Sequence, residues 1–76
     1  MNKEKRNDLN TARELLERAK GIVGTVRDRE QDCLDNIPEN LEGSERYSTM
    51  ESAIDSLDDA IDKIEEAQDS IDEAMR

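Results

Sequence analysis

The side chains best suited to binding an ion or a partner are carboxylates in the C-terminal half, which recur three and four residues apart. On a helix this spacing places them about 6 Å apart along one face, where pairs can weakly hold calcium or magnesium. No EF-hand loop pattern accompanies them and the chain has no histidine, so a solvated acidic face is the favoured interpretation. It is also a candidate partner-binding surface. The acidic face comprises Asp55, Asp58, Asp59, Asp62, Glu65, Glu66, Asp69, Asp72 and Glu73.

The only cysteine, Cys33, has no histidine in the chain to activate it as a nucleophile. We predict that its thiol packs in the core. The chain also lacks Trp and Phe, which commonly line substrate pockets. These features predict a protein that is not an enzyme and uses no cofactor or metal. Tyr47, the one aromatic residue, is expected to pack in the core with its hydroxyl at the rim.

Two long amphipathic helices must position these residues, because apolar residues alternate at spacings of three and four in both halves of the chain. The pattern predicts an all-α fold, one antiparallel two-helix coiled-coil hairpin over residues 1–76. Helix one is expected over about 3–36, the turn over about 37–44 and acidic helix two over about 45–75. The predicted seam of helix one is Leu9, Ala12, Leu16, Ala19, Val23, Val26, Glu30, Cys33 and Ile37. The predicted seam of helix two is Tyr47, Met50, Ile54, Leu57, Ile61, Ile64, Gln68, Ile71 and Met75.

The turn contains the only proline, Pro38, which lacks a backbone donor and ends helix one just before it. Ser44 is a good N-cap for helix two, although Ser48 with Glu51 also spells a capping box one turn later. A turn this short forces the helices to be antiparallel. The predicted seam pairs are Val26 with Ile54, Val23 with Leu57, Ala19 with Ile61, Leu16 with Ile64 and Leu9 with Ile71.

Four residues interrupt the regular pattern. Glu30 and Gln68 are the polar residues of the two seams, and such residues can specify register at a cost in stability. Glu30 can equally reach water near the turn and have no effect. Gly21 and Gly24 weaken the centre of helix one, and we expect both on its solvent side.

The apolar surface is wider than a two-helix hairpin needs. Leu15 and Ile22 lie at heptad position g of helix one, and a seven-residue repeat places alanines at g in helix two. Burying one Leu or Ile is worth about 1.5–3 kcal/mol, so two hairpins are expected to dimerise into a four-helix bundle. A groove on another protein is the alternative. The predicted dimer interface comprises Leu15, Ile22, Ala53, Ala60 and Ala67.

The net charge of −10 is concentrated in one half of the chain. Residues 1–38 hold eight basic and eight acidic side chains, whereas residues 39–76 hold three basic and thirteen acidic. This field opposes direct binding to nucleic acid or anionic lipid and favours a basic protein partner. No apolar run is long enough for a signal peptide or a membrane anchor, so a cytoplasmic protein is expected.

The turn is a second candidate partner-binding surface because of its unusual composition, since loops often carry recognition residues. Its candidate residues are Asn36, Glu39, Asn40, Glu45 and Arg46. The alternative is structural: Asn36 and Ser44 cap helices, and Arg46 pairs with Glu42 or Asp35.

The most specific motif is Asp35-Asn-Ile-Pro-Glu-Asn-Leu-Glu-Gly-Ser-Glu-Arg46, followed by Met50-Glu-Ser-Ala-Ile-Asp55. Over roughly residues 28–74 the chain resembles a group of uncharacterised short acidic helical-hairpin proteins of Firmicutes phages and mobile elements. Those proteins share Asp-Asn-Leu-Pro-Glu-Ser-Leu, then Ser-Glu-Arg, then repeats of Ala-Ile-Asp. This chain departs from them at Ile37, Asn40 and Tyr47. The resemblance implies that this chain is encoded by a mobile element and is made in a bacterial cell.

Two classes of function follow. The first is a structural or adaptor dimer, in which the apolar seam mediates assembly and the acidity provides solubility and excludes wrong partners. The second is an inhibitor, a DNA mimic of the anti-restriction or anti-CRISPR type. Its rows of carboxylates would occupy the basic groove of a host defence protein that binds nucleic acid.

Overall fold

The computed structural model describes all 76 residues as two long helices packed side by side. Helix α1 spans Lys3–Asp35, helix α2 spans Glu45–Ala74, and a short 3-10 helix at Glu39–Leu41 lies between them. There is no β-strand, and the hairpin forms a rod of 60 × 15 × 13 Å. The predicted all-α hairpin is confirmed, with helix boundaries within one residue of those expected.

Side-chain hydrogen bonds define the two helix ends that face the turn. The Ser44 hydroxyl accepts a hydrogen bond from the backbone N–H of Tyr47 at 3.2 Å, so Ser44 and not Ser48 is the N-cap of α2. At the end of α1, the Asn36 side chain donates to the Asp32 carbonyl oxygen at 2.9 Å. The predicted capping roles of Asn36 and Ser44 are therefore confirmed.

The core is thin and lies mainly on α2. Only Met50, Ile54 and Gln68 are buried, and all three belong to the predicted α2 seam. The remaining members of that seam are half-buried, so the inward face of α2 is as predicted. They are Tyr47, Leu57, Ile61, Ile64, Ile71 and Met75.

The inward face of α1 is rotated relative to the prediction. Every a position is half-buried as expected, and so is every e position, one residue after the predicted d position. Of the predicted d positions only Ala12 and Ala19 are half-buried. Val26 is 44% exposed and Cys33 is exposed, so their predicted places in the hairpin core were wrong. Leu34 is half-buried instead, beside Ile54. The e row comprises Arg13, Lys20, Arg27 and Leu34.

Three polar contacts between the helices fix their register. They are Arg13 with Asp72 at 2.6 Å, Glu17 with Gln68 at 2.8 Å, and Arg27 with Asp58 at 2.8 Å. In each pair the two residue numbers total 85, as expected for helices that run antiparallel. These contacts join e with e or b with a positions, so none of them is one of the predicted seam pairs. The predicted pairing of Val26 with Ile54 fails because Val26 turns away from α2.

The rotation of α1 follows from what its d and e rows contain. The e row offers two arginines to carboxylates of α2, and each exposed ion pair contributes roughly 0.2–1 kcal/mol. It also offers Leu34, where the d row offers the smaller Cys33. Facing the e row towards α2 therefore gains ion pairs and a larger apolar side chain.

The two glycines of α1 differ in exposure. Gly21 is exposed, as predicted, whereas Gly24 is half-buried and does not lie fully on the solvent side as predicted. A Cβ atom at either position would meet nothing within 4 Å. Neither glycine is therefore required by close packing within the hairpin.

Candidate functional site

One flank of the hairpin is polar and ion-paired. Arg27 donates from Nε to Asp58 Oδ1 at 2.8 Å, and this hydrogen bond raises the pKa of the guanidinium. Arg13 makes the equivalent pair with Asp72 near the C-terminal end of α2. All four residues occupy heptad position e, so this flank holds the e rows of both helices.

The opposite flank is apolar, because in an antiparallel pair the g rows lie opposite the e rows. On α1 it carries a line of apolar residues spaced three and four apart, interrupted by the exposed Arg29 between Val26 and Cys33, and we call the apolar residues of this line the α1 stripe. Leu15 is 61% exposed and Ile22 59% exposed, and Val26 and Cys33 extend the line towards the turn. The α1 stripe comprises Ala12, Leu15, Ala19, Ile22, Val26 and Cys33.

Alanines of α2 complete the apolar flank. Ala53, Ala60 and Ala67 lie at position g and are half-buried beside α1. The five residues predicted as a dimer interface thus lie on one flank. Sequence reasoning missed Val26 and Cys33 as part of this surface because it assigned both to the core. The signal was Leu34, a large apolar residue directly after Cys33 that the predicted seam left unused.

The predicted acidic face is divided by ion pairs. Asp58 and Asp72 bind arginines of α1, whereas Asp59 pairs with Lys63 at 2.8 Å and Glu73 pairs with Arg76 at 3.3 Å. The Asp59 carboxylate raises the pKa of the Lys63 ammonium through this hydrogen bond. The other five carboxylates are exposed and form no ion pair. They are Asp55, Asp62, Glu65, Glu66 and Asp69.

The turn end of the rod contains a shallow cavity of about 380 Å³. Arg46 lines it and is exposed without an ion pair, so the predicted pairing of Arg46 with Glu42 or Asp35 is wrong. Among the other turn candidates, Asn36 lines the cavity and caps α1, while the remaining three are exposed. The cavity is lined by Cys33, Asn36, Ile37, Pro38, Leu41, Ser44 and Arg46. The exposed turn candidates are Glu39, Asn40 and Glu45.

The polar residues of the seams have different surroundings. Gln68 is 9% exposed and donates from Nε2 to Glu17 Oε2 at 2.8 Å. That hydrogen bond, with help from Lys20, lowers the pKa of the Glu17 carboxyl. Glu30 is half-buried. Tyr47 is also half-buried, and this burial, reinforced by nearby carboxylates, raises the pKa of its hydroxyl.

The chain matches no known protein family, curated protein or solved structure. No group of three or more His, Cys, Asp and Glu side chains is arranged to hold a metal ion. Neither α1 nor α2 has a segment that is long and apolar enough to cross a membrane. The candidate surfaces are therefore the apolar flank, the five unpaired carboxylates of α2 and the cavity at the turn.

Proposed function

We propose that this chain is a non-enzymatic protein-binding module that dimerises through its apolar flank into a four-helix bundle. Its role is structural or adaptor-like, in the cytoplasm of a bacterial cell. The observation that carries the proposal is the α1 stripe, in which Leu15 and Ile22 leave more than half of their surface in water. Full burial of such a side chain is worth about 1.5–3 kcal/mol, so covering the part that is still exposed is worth about 1–2 kcal/mol for each.

The dimensions of the hairpin support a stable interface. A flank of a rod measuring 60 × 15 × 13 Å offers on the order of 800 Å² per copy, the area that a typical specific interface buries on each partner. The hairpin alone buries only three residues. Dimerisation through the apolar flank would therefore enlarge a thin core substantially. A four-helix bundle is the common solution for helices with such wide apolar faces.

Sedimentation equilibrium of the full chain at about 10–100 µM tests this proposal, a range that resolves a micromolar complex. We expect twice the 8.7 kDa chain mass for the wild type. The double variant Leu15→Gln/Ile22→Gln should sediment as a monomer and remain helical by circular dichroism. The control Glu14→Gln/Gly21→Gln changes exposed residues outside the stripe and should remain a dimer. A monomeric wild type at the highest concentration would contradict the proposal.

A second candidate function is a DNA-mimicking inhibitor of a basic host protein that binds nucleic acid. It is favoured by the five exposed carboxylates without ion pairs, which follow one another at helical spacings along α2. At spacings of three or four residues such charges are about 6 Å apart, close to the separation of phosphates along one nucleic-acid strand. The mobile-element setting suggested by the Asp35–Arg46 motif gives such an inhibitor a biological context.

Competition with DNA for a host protein recovered by pull-down tests this second function. We expect binding to weaken steeply between low and physiological salt, since exposed charges are screened beyond about 10 Å at 0.1 M. Reversing the unpaired Asp55, Asp62 and Asp69 to Lys should abolish competition without loss of helicity. Binding that survives both the salt and the triple reversal would exclude a carboxylate decoy.

A further inference from the structure

The structure points to a specific arrangement of the dimer: α1 of each copy packs against α2 of the other, and the two acidic helices lie on a diagonal. We propose that the occupant of the apolar flank is a second copy of this chain, related by a two-fold axis parallel to the rod. This inference rests on the proposed dimer and adds its geometry. Three observations carry it: size complementarity, register and charge.

The first observation is that α2 presents a face that complements the large residues of the α1 stripe. Its residues are spaced four and three apart along the apolar flank, and all but one are Ala, Ser or Thr. The exception is Lys63, whose aliphatic stem can cover apolar surface while its ammonium stays in water. None of the thirteen acidic residues of the C-terminal half lies on this line, the α2 stripe. It comprises Thr49, Ala53, Ser56, Ala60, Lys63, Ala67, Ser70 and Ala74.

Large residues facing small ones allow two helices to approach closely, as side-chain ridges fit into grooves. Val26 of one copy would pack on Ala60 of its partner, and Leu15 on Ser70. If α1 instead faced α1, Leu15 and Ile22 would force a wide spacing while the alanines of α2 required a narrow one. The two hairpins would then splay apart.

The second observation is that the α1 stripe of one copy and the α2 stripe of the other pair at the position along the rod that two-fold symmetry requires. Rotation about a two-fold axis parallel to the rod does not shift a residue along the rod. The partner's α2 must therefore lie at the same height along the rod as the chain's own α2. Within the hairpin, polar contacts join residues whose numbers total 85. The stripes pair residue by residue at totals of 85 and 86, which meets this condition. The implied pairs are Ala12 with Ala74, Leu15 with Ser70, Ala19 with Ala67, Ile22 with Lys63, Val26 with Ala60, and Cys33 with Ala53.

The third observation is the distribution of charge. Residues 1–38 are neutral overall, and residues 39–76 hold the entire charge of −10. Adjacent helices in a bundle lie about 8–10 Å apart, so helices on the diagonal of a square are about 11–14 Å apart. This distance exceeds the screening length of about 10 Å at 0.1 M salt. Two acidic helices packed side by side would lie within the screening length and would repel each other. Packing α1 against α2 therefore separates the two acidic helices.

The native Cys33 provides a direct test, because this arrangement places it opposite Ala53 of the partner. Affinity-tagged wild type is mixed with the variant C33A/A53C and oxidised with diamide, and products are separated on a non-reducing gel. Any mixed disulfide is necessarily between chains. The matched control C33A/S52C carries its thiol one residue away, at an exposed position outside the flank. We expect about tenfold more mixed disulfide with C33A/A53C, since a disulfide requires Cα atoms within about 7 Å.

Several outcomes would overturn the arrangement. Equal yields from the two variants, or no mixed disulfide although sedimentation shows a dimer, would refute the geometry and leave the dimer intact. A disulfide formed efficiently by C33A/A53C alone would indicate that α2 faces α2. A monomeric mass would instead refute the proposed dimer itself, and the two failures are therefore distinguishable.

Discussion

Replacing Ile54 with Ala should destabilise the hairpin far more than the same replacement at Ile22. Ile54 is 5% exposed, whereas Ile22 is 59% exposed. Each change removes three carbon atoms, worth about 0.8 kcal/mol apiece when fully buried, so Ile54→Ala should cost about 2–3 kcal/mol. A small domain of this length has a stability of roughly 4–11 kcal/mol. The loss at Ile54 is thus a large fraction of the total.

Urea denaturation followed by circular dichroism measures both variants, at about 1 µM and about 100 µM chain, spanning a typical weak-dimer range. Ile54→Ala should lower the midpoint at both concentrations. Ile22→Ala should cost less than about 1 kcal/mol at low concentration and more at high concentration, because its surface is covered only in the proposed dimer. A larger effect of Ile22→Ala than of Ile54→Ala at low concentration would refute the inward face assigned to α2.

Three further predictions concern single residues. Gly24→Ala should raise the free energy of unfolding by about 1 kcal/mol in urea denaturation, because the added methyl group meets no neighbour within 4 Å and alanine favours the helix. Ser44→Ala should lower it by about 1 kcal/mol through loss of the N-cap, while Ser48→Ala changes it by less than about 0.5 kcal/mol. Burial raises the pKa of Tyr47 above its ordinary 10.0, so its contribution to stability is complete below pH 10.0 and is lost as pH rises through the folded-state pKa. Denaturation between about pH 9 and pH 11 should show this loss in the wild type and a smaller loss in Tyr47→Phe.

The architecture and the inward face of α2 could be predicted from the sequence because α2 offers few alternatives. Its a and d positions are large and apolar, while b, e and f are mostly charged. Rotation of α2 towards its e row would bury carboxylates, whose desolvation costs several kcal/mol each. Rotation towards its g row would replace large apolar side chains with alanines in the core. The one polar seam residue, Gln68, finds Glu17 as its partner across the interface.

The rotation of α1 could not be predicted in the same way. Its apolar arc extends beyond the a and d positions, since Leu15 and Ile22 lie on one side and Leu34 on the other. Periodicity alone therefore allows several inward faces of similar apolar content. The choice depends on the partner helix, because the carboxylates of Asp58 and Asp72 draw the arginines of the e row inwards.

The sequence predicts which residues share a candidate surface, but it does not predict which of their carboxylates are ion-paired. A residue's place on a helix face follows from its spacing, so the grouping of Leu15 and Ile22 with the α2 alanines needed only the heptad pattern. Which carboxylates are free depends instead on side chains that meet across the hairpin. Asp58 and Glu65 both lie at position e, yet Asp58 binds Arg27 while Glu65 is unpaired, and spacing along α2 does not distinguish these two residues.

The exposure of Val26 and Cys33 links the incorrect core assignment to the proposed assembly. Both lie at d positions, which point between the two neighbours of a helix in a four-helix bundle. In one hairpin α1 has a single neighbour, so its e row turns inwards and these two residues of the d row are left at the surface. A second copy on the apolar flank would place the a and d rows together at the bundle centre. The proposed dimer would therefore account for the apolar residues that the d row of α1 leaves at the surface of one hairpin.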